Sequence, residues 1–344
     1  VRSRGLGDVY KRQMSLKPPQ HLLIAGLCLI VVTVLSLMLG NTLVSLSQLI
    51  QAFFHFDRNN DIHTLITGAR ASRTLIALLT GAALSVSGLL MQVLTRNPVA
   101  SPGLFGVNAG AVFFIVFSIT FIQVSSFEAL IVIAFIGAML VTFLVVALGM
   151  FRQTQFSPQR VILAGASIAM LFTAFTQGIL IMSETNLQGF LFWLAGSVSL
   201  RNIWEIKWII PFLIVLICIA YCMSSRINIL MTSDEIATGL GQNIKATKWL
   251  LILLISSLAG LSVALAGSIA FIGLIVPNIS KALLPPNYKY LIPHSAIVGA
   301  CLMIISDIVA RMIIRPLELP VGVVTAVIGA SVLIYLMRKG IYRL

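Results

Sequence analysis

Residues 267–336 read GSIAFIGLIVPNISKALLPPNYKYLIPHSAIVGACLMIISDIVARMIIRPLELPVGVVTAVIGASVLIYL. Apolar runs alternate with short breaks at Pro285-Pro286, Pro293, Pro316 and Pro320. Each run is close to the roughly 20 residues that a helix needs to cross a bilayer. Asp307 and Arg311 lie inside one of them. The stretch predicts three membrane passes with a polar feature near one face, which points to a conduit and not to an enzyme.

The rest of the chain agrees. Of 344 residues, 59% are hydrophobic and only 10% charged, where ordinary soluble domains carry roughly 25%. No water-soluble fold hides that much apolar surface, so the solvent is lipid. A membrane β-barrel would alternate polar and apolar residues over strands of about ten residues. These runs are continuous, so the spans are helices. The net charge of +13 could suggest nucleic acid, but the Lys and Arg residues form no arm or patch. They sit at the ends of apolar runs, where positive charge sets topology. Cys28, Cys218, Cys222 and Cys301 all lie within apolar runs with no His or carboxylate beside them, as small buried hydrophobes do.

Residues 1–13 are polar, precede Met14 and do not match the rest of the chain in character. They read as a leader outside a single transmembrane domain over residues 14–344. Apolar periodicity places spans near 22–39, 74–94, 104–123, 129–150, 161–182, 208–223, 249–266, 269–284, 291–314 and 320–337, about ten in all. Residues 40–69 form an amphipathic connection with a turn cluster at residues 57–61. The apolar piece within 183–207 is too short to cross and reads as re-entrant or interfacial. In the second span Gly81 and Ser85 recur four residues apart and Gly88 continues the row. Such small-residue rows let helix backbones approach closely in lipid. Gly322 and Ala326 suggest a similar face on the last helix.

The loop 224–248 is the longest polar stretch after the first connection. Thr232 and Glu235 have capping-box spacing, and Gly239 and Gly241 are expected to interrupt the helix after them. Lys17, Arg96, Arg152, Arg160, Arg226, Lys245, Lys248, Lys281, Lys289, Arg338 and Lys339 collect on one side. The other side carries fewer cations, diluted by Asp57, Asp61, Glu128, Glu184, Glu205 and Glu318. The positive-inside rule then makes the first side, both termini and loop 224–248 cytoplasmic.

No His-Glu-x-x-His, Gly-x-Ser-x-Gly or phosphate-loop motif is present, and the four His are scattered. An ionisable residue in a span invites a functional reading, such as a proton relay through Asp307. An i,i+4 ion pair with Arg311 is the simpler reading, because no second membrane carboxylate offers a relay partner.

The residues also carry a resemblance. ARASRTLIALLTGAALSVSGLLMQVLTRNPVASPGLFGVNAGA at 69–111, LAGASIAM, LFWLAGSVS, DEIATGLGQN at 234–243, GSIAFIGLIVPNISK and DIVARMIIRPLELPVGVVTAVIGA come one after another in family order. From Met14 onward the chain resembles a FecCD-type permease, the membrane subunit of type II ABC importers for iron–siderophores, haem and vitamin B12. The resemblance implies a ten-helix permease that pairs with a second copy or a paralogue. It also implies two ATP-binding cassette subunits and an extracytoplasmic substrate-binding protein as partners. Arg70, Arg73 and Arg311 match arginines that dock the binding protein in that family. Asp234, Glu235, Gly239 and Gly241 match its ATPase-coupling segment. Gln155, Phe156, Ser157 and Pro158 match its cytoplasmic gate. Departures exist: the family's Pro-His-Ile-x-Arg reads Pro277-Asn278-Ile279-Ser280-Lys281, and its Arg-x-Pro-Arg reads Arg70-Ala71-Ser72-Arg73.

The expected function is import of a ferric siderophore across a bacterial cytoplasmic membrane by alternating access. No cofactor is expected on this chain, and ATP is used by the partners. Haem or vitamin B12 import, and a proton-coupled secondary transporter relying on Asp307, are the alternatives. A channel or structural membrane protein would need no coupling loop.

Overall fold

The computed structural model describes residues 17–40, 42–151, 157–182, 195–197, 206–315 and 317–338. The leader, Gln155 and Phe156, and most of 183–207 lie outside the described residues. Among the described residues the chain is helical with no strand. The helices are α1 (Pro18–Met38), α2 (Leu46–Phe54), α3 (Asp61–Thr95), α4 (Val107–Ile122), α5 (Phe127–Gly149), α6 (Pro158–Met182) and α7 (Ile209–Cys222). They continue with α8 (Ser224–Leu230), α9 (Asp234–Gly239), α10 (Ile244–Ala266), α11 (Ile272–Leu283), α12 (Tyr288–Met312) and α13 (Val321–Arg338). By length and composition α1, α3, α5, α6, α10 and α12 can each cross a membrane, and α7 with α8 forms a pair bent by 47° that could make a seventh span. The apolar parts of α4, α11 and α13 are shorter.

Two helices form the centre. α3 and α10 are buried along most of their length, whereas α1 and α6 are largely exposed. α3 packs chiefly on α12 and α10, and α4 and α5 flank α10 on the other side. Small residues in α3 explain its position. A methyl group added to Gly81 would overlap the Gly299 carbonyl of α12, and one added to Gly88 would overlap the Gly273 carbonyl of α11. Between them Ser85 donates its hydroxyl to the Ser295 carbonyl at 2.7 Å. On another face Ser87 donates to the Ile255 carbonyl of α10 at 2.9 Å. These hydroxyls bond across helices where lipid offers no alternative partner.

The start of α3 differs from the sequence expectation. The sequence places the span from about residue 74, but its helix already starts within the amphipathic connection over 40–69. The helix begins at Asp61 and passes through a π turn, Leu65–Arg70, into the α-helical Ala71–Thr95. Asn60 caps its start through a bond from the Ile62 amide. The wider turn carries Arg70 at its end, where it is turned inward.

The passage from α10 to α11 is irregular. Gly267 ends α10 with φ +74°, and Phe271 stands at φ +69° immediately before α11. α11 has 12 residues, about 18 Å of helix at 1.5 Å per residue, too short to cross alone. The break is lined by protein. Asn108 Nδ2 donates to Ser268 Oγ at 3.2 Å, and the Ser197 amide donates to the Ala266 carbonyl at 2.9 Å. The Gly322 amide, at the start of α13, donates to the Gly196 carbonyl at 3.3 Å. Non-helical backbone at membrane depth is tolerated when it is buried in protein in this way.

On α13 the closest approaches fall at Gly322, against the Ala195 carbonyl, and at Gly329, against the Phe271 side chain. Ala326 is only partly buried. The packed face therefore runs through positions 322, 325 and 329, with Thr325 buried between the two glycines. It does not keep the fourfold spacing through Ala326.

Candidate functional site

Two polar clusters sit at opposite ends of the bundle, and an unusual helix face lies between them. The first cluster joins the C-terminal end of α1, the start of α3, the end of α12 and the link to α13. A helix end leaves carbonyls without intrahelical donors, and cations are favoured there. At the end of α1 two arginines fill that role. Arg70 Nη1 donates to the Leu37 carbonyl at 2.8 Å and to the Met38 carbonyl at 3.1 Å, and its Nη2 donates to Thr42 Oγ1 at 2.8 Å. Arg311 Nη1 donates to the carbonyls of Ser36 and Leu39 at 3.2 and 3.0 Å, and its Nη2 donates to Ser36 Oγ at 2.9 Å.

Asp307 holds this cluster together. Its side chain is fully buried, with Arg311 Nη2 at 3.0 Å and Arg73 Nε at 2.8 Å. Arg73 continues outward, its Nη1 donating to Glu318 Oε2 at 2.7 Å. Glu318 lies on the link into α13 and keeps 27% of its side chain exposed. The Nη2 of Arg73 is buried without a hydrogen-bond partner among the described residues. Three guanidiniums against two carboxylates leave one net positive charge.

Two of the three arginines that the resemblance matches to docking residues are turned inward: the side chains of Arg70 and Arg311 are buried, at 6% and 4% exposure. The physical reason is the set of carbonyls at the end of α1 together with the buried Asp307. The i,i+4 pair of Asp307 and Arg311 is present. What the sequence did not reveal is that Arg73, 234 residues away, joins it.

The second cluster surrounds α9. Ser233 caps the helix, its hydroxyl accepting from the Ile236 amide at 3.2 Å. The expected cap was Thr232, whose hydroxyl instead donates to the Ile229 carbonyl at 2.7 Å. At the other end the Gln242 amide donates to the Ala237 carbonyl and the Gly241 amide to the Thr238 carbonyl, at 3.0 and 2.9 Å. This pair of bonds defines a Schellman stop, which wants a left-handed residue after the cap. Gly241 provides it at φ +78°. Gly239 is the last residue of the helix, with open space around it, and does not break it.

Asp234 ties α9 to the bundle. Its carboxylate accepts from Arg96 Nη2 at 2.6 Å and from Lys248 Nζ at 2.9 Å. The hydrogen bond from Lys248, then the Lys248 and Arg96 charges, outweigh partial burial and hold Asp234 below its ordinary 3.8. Glu235 is exposed, and so are Ile236 at 54% and Leu240 at 66%. A polar loop thus presents two bare aliphatic side chains on a short helix stopped at both ends.

α6 supplies the third feature. Ala166, Ala169, Met170, Thr173, Ala174 and Gln177 line an open groove along it. Their spacing keeps to one helical face. A lipid-facing stripe would carry large aliphatic residues, whereas this one is mostly small, with two polar members. Sequence reasoning quoted Ala166, Ala169 and Met170 within LAGASIAM but assigned none of the six to a site. The signal was there, in polar residues recurring with small ones inside a span.

Ser157 and Pro158 stand at the start of α6. At the departures from the family pattern, Asn278 Nδ2 donates to the carbonyls of Pro98 and Leu274 at 2.9 and 2.7 Å. Lys281 Nζ donates to Gln92 Oε1 at 2.6 Å. Both residues brace α11 against the segment around the end of α3.

The fold and these features define a multi-pass membrane protein of the transport-permease class, with no catalytic constellation among the described residues. The sequence profile of the FecCD transport family matches residues 28–339, and the chain belongs to that family. It is 41% identical over 305 residues to the Bacillus subtilis protein named "Probable siderophore transport system permease protein YfiZ", covering 89% of this chain and 91% of that one. It is 37% identical to the ferric enterobactin transport system permease protein FepD of Escherichia coli, covering 91% and 93%. Among solved structures it matches a chain of the one described as "An inward-facing conformation of a putative metal-chelate type ABC transporter". The TM-score is 0.83 at 30% identity, with 93% of this chain and 99% of that chain covered. The chain is therefore the transport subunit of an ABC system, which works with ATPase and substrate-binding partners and a second permease.

Proposed function

We propose that the chain is the permease of an importer for ferric siderophores in a bacterial cytoplasmic membrane, with both termini in the cytoplasm. Two copies, or this chain and a paralogue, would enclose the pathway, and two ATPase subunits would drive it. The observation that carries the reading is α9. It is a short helix stopped at both ends, pinned by Asp234, with Ile236 and Leu240 bare on the side rich in basic loops. Exposed apolar side chains on a polar loop mark a protein contact. A peg of this build can transmit movement of an ATPase groove into α8 and α10.

The small and polar stripe on α6 fits the wall of a pathway or a face toward the second permease. Ser157 and Pro158, with Gln155 and Phe156 before them, are proposed as the gate at its cytoplasmic end. At the outer end the arginine cluster is proposed as the docking point of the binding protein. Its net positive charge favours a carboxylate. Arg73 is the member closest to the surface, and an arriving carboxylate would compete with Glu318 for it.

Siderophore substrate is favoured by the names of the relatives. The test is competition in vesicles holding the permease, ATPase and binding protein. Ferric hydroxamate, ferric catecholate or ferric citrate should be taken up with ATP, while haem and vitamin B12 should neither be imported nor compete. Import of haem or vitamin B12 alone would move the assignment to another substrate of the same family.

A further inference from the structure

α2 divides its nine residues among three environments. At 100° per residue they fall into contiguous arcs. Leu49 and Ala52 form one arc, buried against Val44 and Ile66 and flanked by Leu37 and Met38 of α1. Ser47, Gln48 and Gln51 form the second, which is polar. Leu46, Ile50, Phe53 and Phe54 form the third, exposed at 53, 51, 54 and 78%. One arc meets protein and one suits water. The third is a bare apolar face, with Phe54 the most exposed of its members.

We infer that this third face is seated in lipid, so that α2 lies along the membrane surface as an interfacial anchor for the end of α1. Three observations select lipid over a protein partner. The first is continuity: α2 packs on the end of α1, whose own Leu27, Ile30 and Val31 are exposed along a span. The second is charge: residues 42–56 contain no Asp, Glu, Lys or Arg, so no charged side chain beside the face has to be desolvated when it enters the headgroup and acyl boundary. The third is the arrangement of arcs, which gives a helix with water on one side and acyl chains on another. The capping box at Ser45 and Gln48 fixes where this helix starts. Arg70 ties the preceding loop at Thr42 to α3, so the anchor is coupled to the arginine cluster.

The test is a nitroxide scan of the full permease with its ATPase in nanodiscs of phosphatidylethanolamine and phosphatidylglycerol. Cys28, Cys218, Cys222 and Cys301 are first replaced by Ala, with ATPase activity retained as the check on folding. Labels are then placed by Leu46→Cys, Ile50→Cys, Phe53→Cys and Phe54→Cys, with Ser47→Cys and Gln51→Cys as internal controls on the same helix. The four apolar positions should show several-fold higher collision with oxygen than with a water-soluble nickel chelate, and the two controls the reverse. High nickel-chelate access at all six positions would overturn the inference. So would loss of both collisions at the apolar positions on adding the binding protein, which would make the face a protein-docking site. Neither result depends on which substrate is carried.

Discussion

Asp307 is the residue on which the arginine cluster depends. Two arginines lean on one fully buried carboxylate, and removing one partner of a buried ion pair costs about 3–5 kcal/mol. Asp307→Ala should therefore lower the melting temperature of the detergent-solubilised protein sharply. An unchanged melting temperature would show that the cluster does not hold the helices. Glu318→Gln asks a different question. It frees Arg73 of a competitor, so affinity for the binding protein should rise, most at low salt. Arg73→Glu should lower it; loss with Arg73→Glu but no gain with Glu318→Gln would keep the docking site and discard the competition. At the end of the bundle that holds α9, the sign of the pH effect comes from Asp234. Its carboxyl is depressed in the folded chain, so the tie to Lys248 and Arg96 contributes fully above the ordinary 3.8. That contribution is lost as pH falls below this value toward the depressed one. Pepsin should cut the loop holding α9 increasingly as pH is lowered through this range, and Asp234→Asn should already be cut at its upper end. Equal cutting of both proteins throughout would remove Asp234 from the role.

At the scale of elements, the two glycines at the end of α9 separate cleanly. Gly241 stands in the left-handed region, where a side chain costs roughly 1–2 kcal/mol, and Gly239 faces open space. Gly241→Ala should weaken the stop of α9 and reduce the ATPase activity stimulated by substrate. Gly239→Ala should leave it unchanged. The opposite ranking would contradict the Schellman stop. Sequence placed the small-residue row of α3, because recurrence at four-residue spacing is a local property. It also placed the polar loop over 224–248, because that loop interrupts apolar runs on both sides. It did not place the π turn at Leu65–Arg70, the irregular link between α10 and α11, or the true cap at Ser233. Each of these is decided by what packs against the backbone and leaves no periodic trace. The inward turn of Arg70 and Arg311 belongs to the same class. An arginine near a span end reads identically whether its partner is water or the last carbonyls of a helix distant in sequence.

On the scale of the whole molecule, a buried pair of helices carries the bundle, and the chemistry lies at its ends. One end holds a net-positive arginine cluster. The other holds a capped helix with two bare aliphatic side chains. Between them runs α6, small and polar on one face. As the transport subunit of an ABC system, the chain takes its energy for transport from ATPase partners. That is the central claim, and uptake of radiolabelled iron tests it most directly. The permease is reconstituted into vesicles with its ATPase, and ferric siderophore is presented on the binding protein. Uptake is predicted only with ATP on the ATPase side and with binding protein present. It should vanish when the ATPase is omitted, whatever the proton gradient. Uptake driven by a proton gradient alone, without the ATPase, would contradict the account and return Asp307 to consideration as a proton site.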